Sequence, residues 1–151
     1  MKSKEALLAE HVVFHNMFDY IEQTAPKLGT VAEIRLLGGL LEWMLSAHSH
    51  TEEDLVFAPL EHYLEQIGQN DTFHKEHVEI DDSLKLVQQA AQLKKARELL
   101  LQAVVASRKH FDKEERIIFP MADKVFKAQT LLELGRAWMH QREVEAPGPA
   151  V

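Results

Sequence analysis

No cysteine occurs in the 151 residues. Disulfides, thiolate metal sites and cysteine nucleophiles are excluded together. Long apolar runs are missing too. The stretch from Met1 to Leu8 carries no apolar signal core, and no segment is long enough to span a bilayer. A cytoplasmic location without membrane contact is therefore expected. A basic patch is also lacking: 17 Lys and Arg face 24 Asp and Glu, for a net charge of −7. The densest basic group is Lys94, Lys95 and Arg97, which argues against a nucleic-acid partner. Alternating strand patterns are absent. What the chain does have is histidine, nine in all, and a 46% hydrophobic content sufficient for one ordinary core.

Helical periodicity runs throughout. A first helix is expected from Ser3, as N-cap, to Thr24, ending at Ala25-Pro26. Thr30 should cap a long second helix to about Ile67, kinked at Pro59. Asp71 should cap a third helix reaching Gln89, and the turn into the fourth falls at Ala90-Ala91-Gln92. The fourth kinks at Pro120, and a short fifth helix spans about Thr130 to His140. The expected fold class is all-α: an antiparallel up-down-up-down four-helix bundle with internal duplication. Residues 1–144 are read as that bundle and 145–151 as a flexible tail.

The duplication rests on one stretch that occurs twice. His48-Ser49-His50-Thr51-Glu52-Glu53-Asp54-Leu55-Val56-Phe57-Ala58-Pro59 is answered by His110-Phe111-Asp112-Lys113-Glu114-Glu115-Arg116-Ile117-Ile118-Phe119-Pro120. Each stretch is preceded by a shorter echo, Glu10-His11 and Glu76-His77. Histidine–acid pairs four apart are cheap by chance: with nine histidines and 24 acids, roughly one to two are expected, and five occur. The signal is the repeat around two of them. Residues four apart share a helical face, so His48 with Glu52, and His110 with Glu114, each aim an imidazole and a carboxylate the same way. His62 and His140 belong to no repeated pattern and read as surface residues.

Four imidazoles and two carboxylates from four helices, all inward, would be costly to bury without a cation. His11, His48, Glu52, His77, His110 and Glu114 are therefore the candidate metal ligands. Such a set suits first-row metals from manganese to zinc, and a redox-active iron pair fits it best, with zinc possible in vitro. The chain contains no Glu-x2-His, which removes the ferritin-like carboxylate bundle from consideration. His15 and His74 are further candidates, as ligands or as partners of ligands. Asp81, one turn beyond His77, is a candidate for orienting that ring.

The order His, His-x3-Glu, His, His-x3-Glu, with Glu-His openings and Phe-Pro endings, resembles the hemerythrin-like (HHE) cation-binding domains over about residues 5–127. The resemblance implies a non-haem di-iron centre. His11 and His48 would be terminal ligands of one iron and His77 and His110 of the other, with Glu52 and Glu114 bridging. Oxygen-carrying hemerythrins have a further histidine where this chain has Phe73, and end in His-x4-Asp rather than His-x3-Glu. The resemblance is accordingly to the bacterial and regulatory members. A protein of that type would bind oxygen, nitric oxide, peroxide or iron for sensing, storage or stress response. The lack of any substrate-binding motif beyond the metal site favours a small diatomic ligand or peroxide as partner. An enzyme acting on peroxide or nitric oxide, and a zinc or metal-free interaction bundle, are the alternatives.

Overall fold

The computed structural model describes residues 1–145, and within them it is helical with no strand. The tail expected over 145–151 lies outside the described residues apart from Glu145. Helix α1 spans Ser3–Thr24 and α2 spans Val31–Glu52, with a 3-10 turn Ala25–Lys27 between them. Helices α3 (Ala58–Gln66), α4 (Asn70–Gln89), α5 (Leu93–Lys113), α6 (Phe119–Val125) and α7 (Ala128–Glu145) follow. Helices α1, α2, α4 and α5 are the four long rods of an antiparallel bundle.

Local chemistry sets most boundaries. Thr30 caps α2 by accepting the Glu33 amide. Helix α3 ends in a Schellman turn: Gly68 sits at φ 67, its N–H reaches Glu65 O at 3.0 Å, and the Gln69 N–H reaches Leu64 O at 2.9 Å. Two caps differ from expectation. Lys2 precedes α1, its N–H held by the Glu5 carboxylate at 2.9 Å, so Ser3 is already helical. Gln69 precedes α4, leaving Asp71 in the first turn, where a negative charge still favours the helix N-terminus.

The two proline kinks take a particular form. From Glu53 to Phe57, and again from Glu114 to Ile118, the backbone widens into a π-turn. The amide of Ala58 reaches back five residues to Glu53 O, and that of Phe119 reaches Glu114 O. Each wide turn ends one residue short of a proline, whose ring would crowd the carbonyl four residues earlier in a regular helix. The helices therefore continue through both prolines.

Two apolar clusters fill the bundle. One, around Phe14, Phe18, Ile34, Leu84, Leu100 and Phe111, packs the end near the α1–α2 turn. The other, around Leu7, Phe57, Leu64, Phe73 and Phe119, packs the opposite end and is roofed by α7. Helix α7 is longer than expected because it has a surface to lie on. Gly135 meets the Met1 backbone so closely that any side chain there would collide with it. Between the two clusters lies a single polar layer.

Helices α2 and α4 pack closely at Gly38, where a Cβ would stand 2.9 Å from Val87 Cγ1. At the neighbouring Gly39 it would meet only the side-chain amide of Gln88, at an ordinary contact distance of 3.4 Å. Ala exceeds Gly in helix preference by about 1 kcal/mol, whereas overpacking a core costs roughly 1–3 kcal/mol. Gly38→Ala is thus expected to lower stability by up to about 2 kcal/mol, and Gly39→Ala to raise it by up to about 1 kcal/mol. Denaturant unfolding of the two variants checks the opposite signs.

Candidate metal centre

The polar layer draws on all four rods. His11 comes from the middle of α1, His48 and Glu52 from the last turns of α2, and His77 from α4. His110 lies in the last turn of α5, and Glu114 opens the π-turn through which that helix continues. All six are buried; His77 is the most exposed, at 8%. The structure brings them together in two groups that could hold a metal ion: His11, His48, Glu52 and Glu114, and Glu52, His77, His110 and Glu114. Within each group the ligand atoms lie within 4.8 Å of one another, and both carboxylates belong to both groups.

The outward face of each imidazole is fixed by a further glutamate. His48 Nδ1 lies 2.6 Å from Glu10 Oε2 and His77 Nδ1 lies 2.8 Å from Glu53 Oε1. His110 Nδ1 lies 2.8 Å from Glu76 Oε2 and His11 Nδ1 lies 3.0 Å from Glu115 Oε1. In every case the carboxylate stands on a neighbouring helix. Glu10 on α1 orients α2, Glu53 orients α4, Glu76 on α4 orients α5, and Glu115 orients α1, so the four contacts form a closed ring. A carboxylate on Nδ1–H fixes the tautomer and leaves the Nε2 lone pair facing the centre.

That arrangement tests the fit of a cation. The lone pairs of His11 and His48 Nε2 would face each other across 3.1 Å. Both oxygens of Glu52, both of Glu114, and Nε2 of His77 and His110 are buried without a hydrogen-bond partner. Six orphaned acceptor atoms in a dry layer are expensive, and a positive ion satisfies them all at once. The donor set, nitrogen plus carboxylate oxygen, suits a first-row divalent metal.

The weaker candidates stand one layer out. His74 Nδ1 is 2.8 Å from Glu53 Oε2, and His15 Nε2 is 3.6 Å from Glu115 Oε1, both rings being partly exposed. Neither belongs to the two groups. Each shares a glutamate with an inner histidine, His74 with His77 through Glu53 and His15 with His11 through Glu115. The carboxylate on His77 is Glu53 rather than Asp81. Sequence reasoning gave no role to Glu10, Glu53, Glu76 and Glu115. Their signal was present as the repeated Glu-His and Glu-Glu pairs.

Phenylalanines wall the layer. Phe111 stacks on His11 at 3.9 Å between ring centres, Phe14 lies against His48, Phe57 meets His77 and Phe73 meets His110. In this dry setting the protons of the metal-free chain respond strongly. Burial pushes the His11 imidazolium down, but the carboxylates of Glu114 and Glu52, 3.3 and 3.6 Å away, outweigh it and raise the pKa to about 10. Against the same burial, the Glu52 charge and the bond to Glu10 lift His48 to about 9. Against burial, the nearby Glu114 and Glu52 carboxylates and the bond to Glu53 lift His77 to about 12. Burial and the Glu52 charge push the Glu114 carboxyl up, yet His110 and His11 hold it at about 2.

The signs of the pH dependence follow. Without metal, imidazoles raised above their unfolded pKa stabilise the fold fully below about pH 6.5, and that contribution fades as pH rises through the folded values. The metal-free chain should therefore lose thermal stability between about pH 6.5 and 10. A metal needs neutral imidazoles, so the loaded chain should hold its stability over that range and release metal as pH falls through roughly 6 to 4. Melting curves of chelated and metal-loaded samples across pH check this; coincident profiles would contradict it.

The sequence matches the family model described as the Hemerythrin HHE cation binding domain over residues 3–122, and matches it again over residues 69–146. No curated protein and no solved structure is a significant match. The first match alone spans most of the chain and contains the whole polar layer. The chain belongs to the hemerythrin HHE cation-binding domain family.

Proposed function

We propose that the polar layer holds two iron ions, with His11 and His48 on one, His77 and His110 on the other, and Glu52 and Glu114 shared between them. The observation that carries this is the set of six buried, unpartnered atoms on Glu52, Glu114, His77 and His110. When bound, an iron pair supplies redox equivalents and coordination positions for dioxygen, nitric oxide or peroxide. On this reading the chain binds such a ligand, or iron itself, for sensing, storage or stress response.

The chain's own residues supply the rest. Glu10, Glu53, Glu76 and Glu115 each keep a proton on a histidine Nδ1, so that Nε2 is free to donate its electron pair. The phenylalanines exclude water, which strengthens every charge interaction within the layer. No substrate-recognition motif accompanies the centre in the sequence, which favours a small diatomic ligand or peroxide. No helix among the described residues is long and apolar enough to cross a membrane.

Metal analysis and visible absorption of protein from iron-replete cells test the reading, with about two irons per chain and oxo-to-iron bands expected. His110→Ala should cut metal content sharply while leaving helicity intact, since Ala is the better helix former mid-helix. Full metal occupancy in that variant would sink the assignment.

A further inference from the structure

Around the centre the four orienting glutamates are matched in pairs, yet two of them are held in place from different sources. Glu76 is paired with Lys113, which comes from α5, one of the four rods. Glu10 is gripped from outside the bundle. Arg142 on α7 places Nε 2.6 Å from Glu10 Oε1 and Nη2 3.1 Å from Glu10 Oε2. Its Nη1 donates to Thr51 Oγ at 2.8 Å, immediately before Glu52 in the chain. Trp138, one turn earlier on α7, donates its indole N–H to Glu10 Oε1 at 3.2 Å, and the Arg142 guanidinium lies over its ring.

We propose that Arg142 and Trp138 are positioning residues for the His11–His48 half of the centre, so that one of its two metal positions depends on the docking of α7. The chain of contact is short: α7 fixes Glu10, Glu10 fixes the His48 ring at 2.6 Å, and His48 points its other nitrogen at the layer. A planar guanidinium forked over a carboxylate constrains its orientation as well as its charge, which a point charge such as Lys113 does not. Loss of an orienting partner of this kind typically costs 10–100-fold in metal affinity. The two half-sites, alike in their inner ligands, are thus made unequal by the last helix. Undocking of α7 loosens one ion and spares the other.

The inference rests on the two-metal reading above, and its test separates the two. Zinc serves as the probe because it accepts these ligands and is diamagnetic. The full chain is titrated with Zn2+ by calorimetry, and the histidine Nδ1–H protons are followed by NMR. Arg142→Ala and Trp138→Phe are expected to weaken one of two zinc sites by about 10–100-fold, leave the other unchanged, and abolish the His48 Nδ1–H signal alone. Arg142→Lys should fall between wild type and Arg142→Ala. Arg136→Ala, an exposed change on the same helix, should match wild type. Equal weakening of both sites would mean that α7 merely stabilises the bundle, and two undiminished sites would mean that it does nothing; either overturns the assignment. A wild-type chain that binds no zinc overturns the metal reading and this inference together.

Discussion

Two glutamates sit side by side in the middle of this protein with almost no water. Glu52 and Glu114 are each about fully buried, share their surroundings and repel one another. Such a pair persists only where positive charge is delivered to it. Four imidazoles are ranged around it, and each is held by a carboxylate that keeps its inner nitrogen free. Phenylalanines close the layer, and apolar clusters seal it above and below. Remove the demand of the two carboxylates and none of these arrangements has a physical reason.

The layer also explains why the bundle is not simply a core. Apolar packing of similar volume would serve stability as well or better. Here the polar section interrupts the core and splits it in two. Buried hydroxyls meet only their own burial cost by bonding back to their helices, as Ser107 does to Ala103 O and Thr51 to Ala47 O. The cost of the layer itself falls on whatever cation the centre holds, which makes stability and occupancy two readings of one equilibrium.

What the sequence made legible was whatever has a period. The helix spans, the inward stripe of α4 from Phe73 to Val87, the turn at Ala90–Gln92 and the inner pairs His48–Glu52 and His110–Glu114 all follow from residues three or four apart. What it hid was whatever depends on a neighbouring helix. Glu10 reaches His48 across 38 positions of chain and Glu115 reaches His11 across 104; no spacing rule marks either. The π-turns were hidden differently. A proline announces that the ladder must break, but not that the backbone will widen before it. Helix α7 overran its expected ends because docking on α1, through Gly135, Trp138 and Arg142, outweighs its weak intrinsic signal.

The ring of four glutamate–histidine contacts has an arithmetic of its own. The first half of the chain satisfies one contact internally, Glu10 with His48, and leaves His11 and Glu53 unmatched. The second half satisfies Glu76 with His110 and leaves His77 and Glu115 unmatched. Each half presents the group the other lacks, so the circuit closes only between two such halves. The Gly68 turn that joins them then acts as a tether. It replaces an encounter between separate molecules with one at an effective concentration in the millimolar range, so the centre assembles equally well at any dilution of the chain.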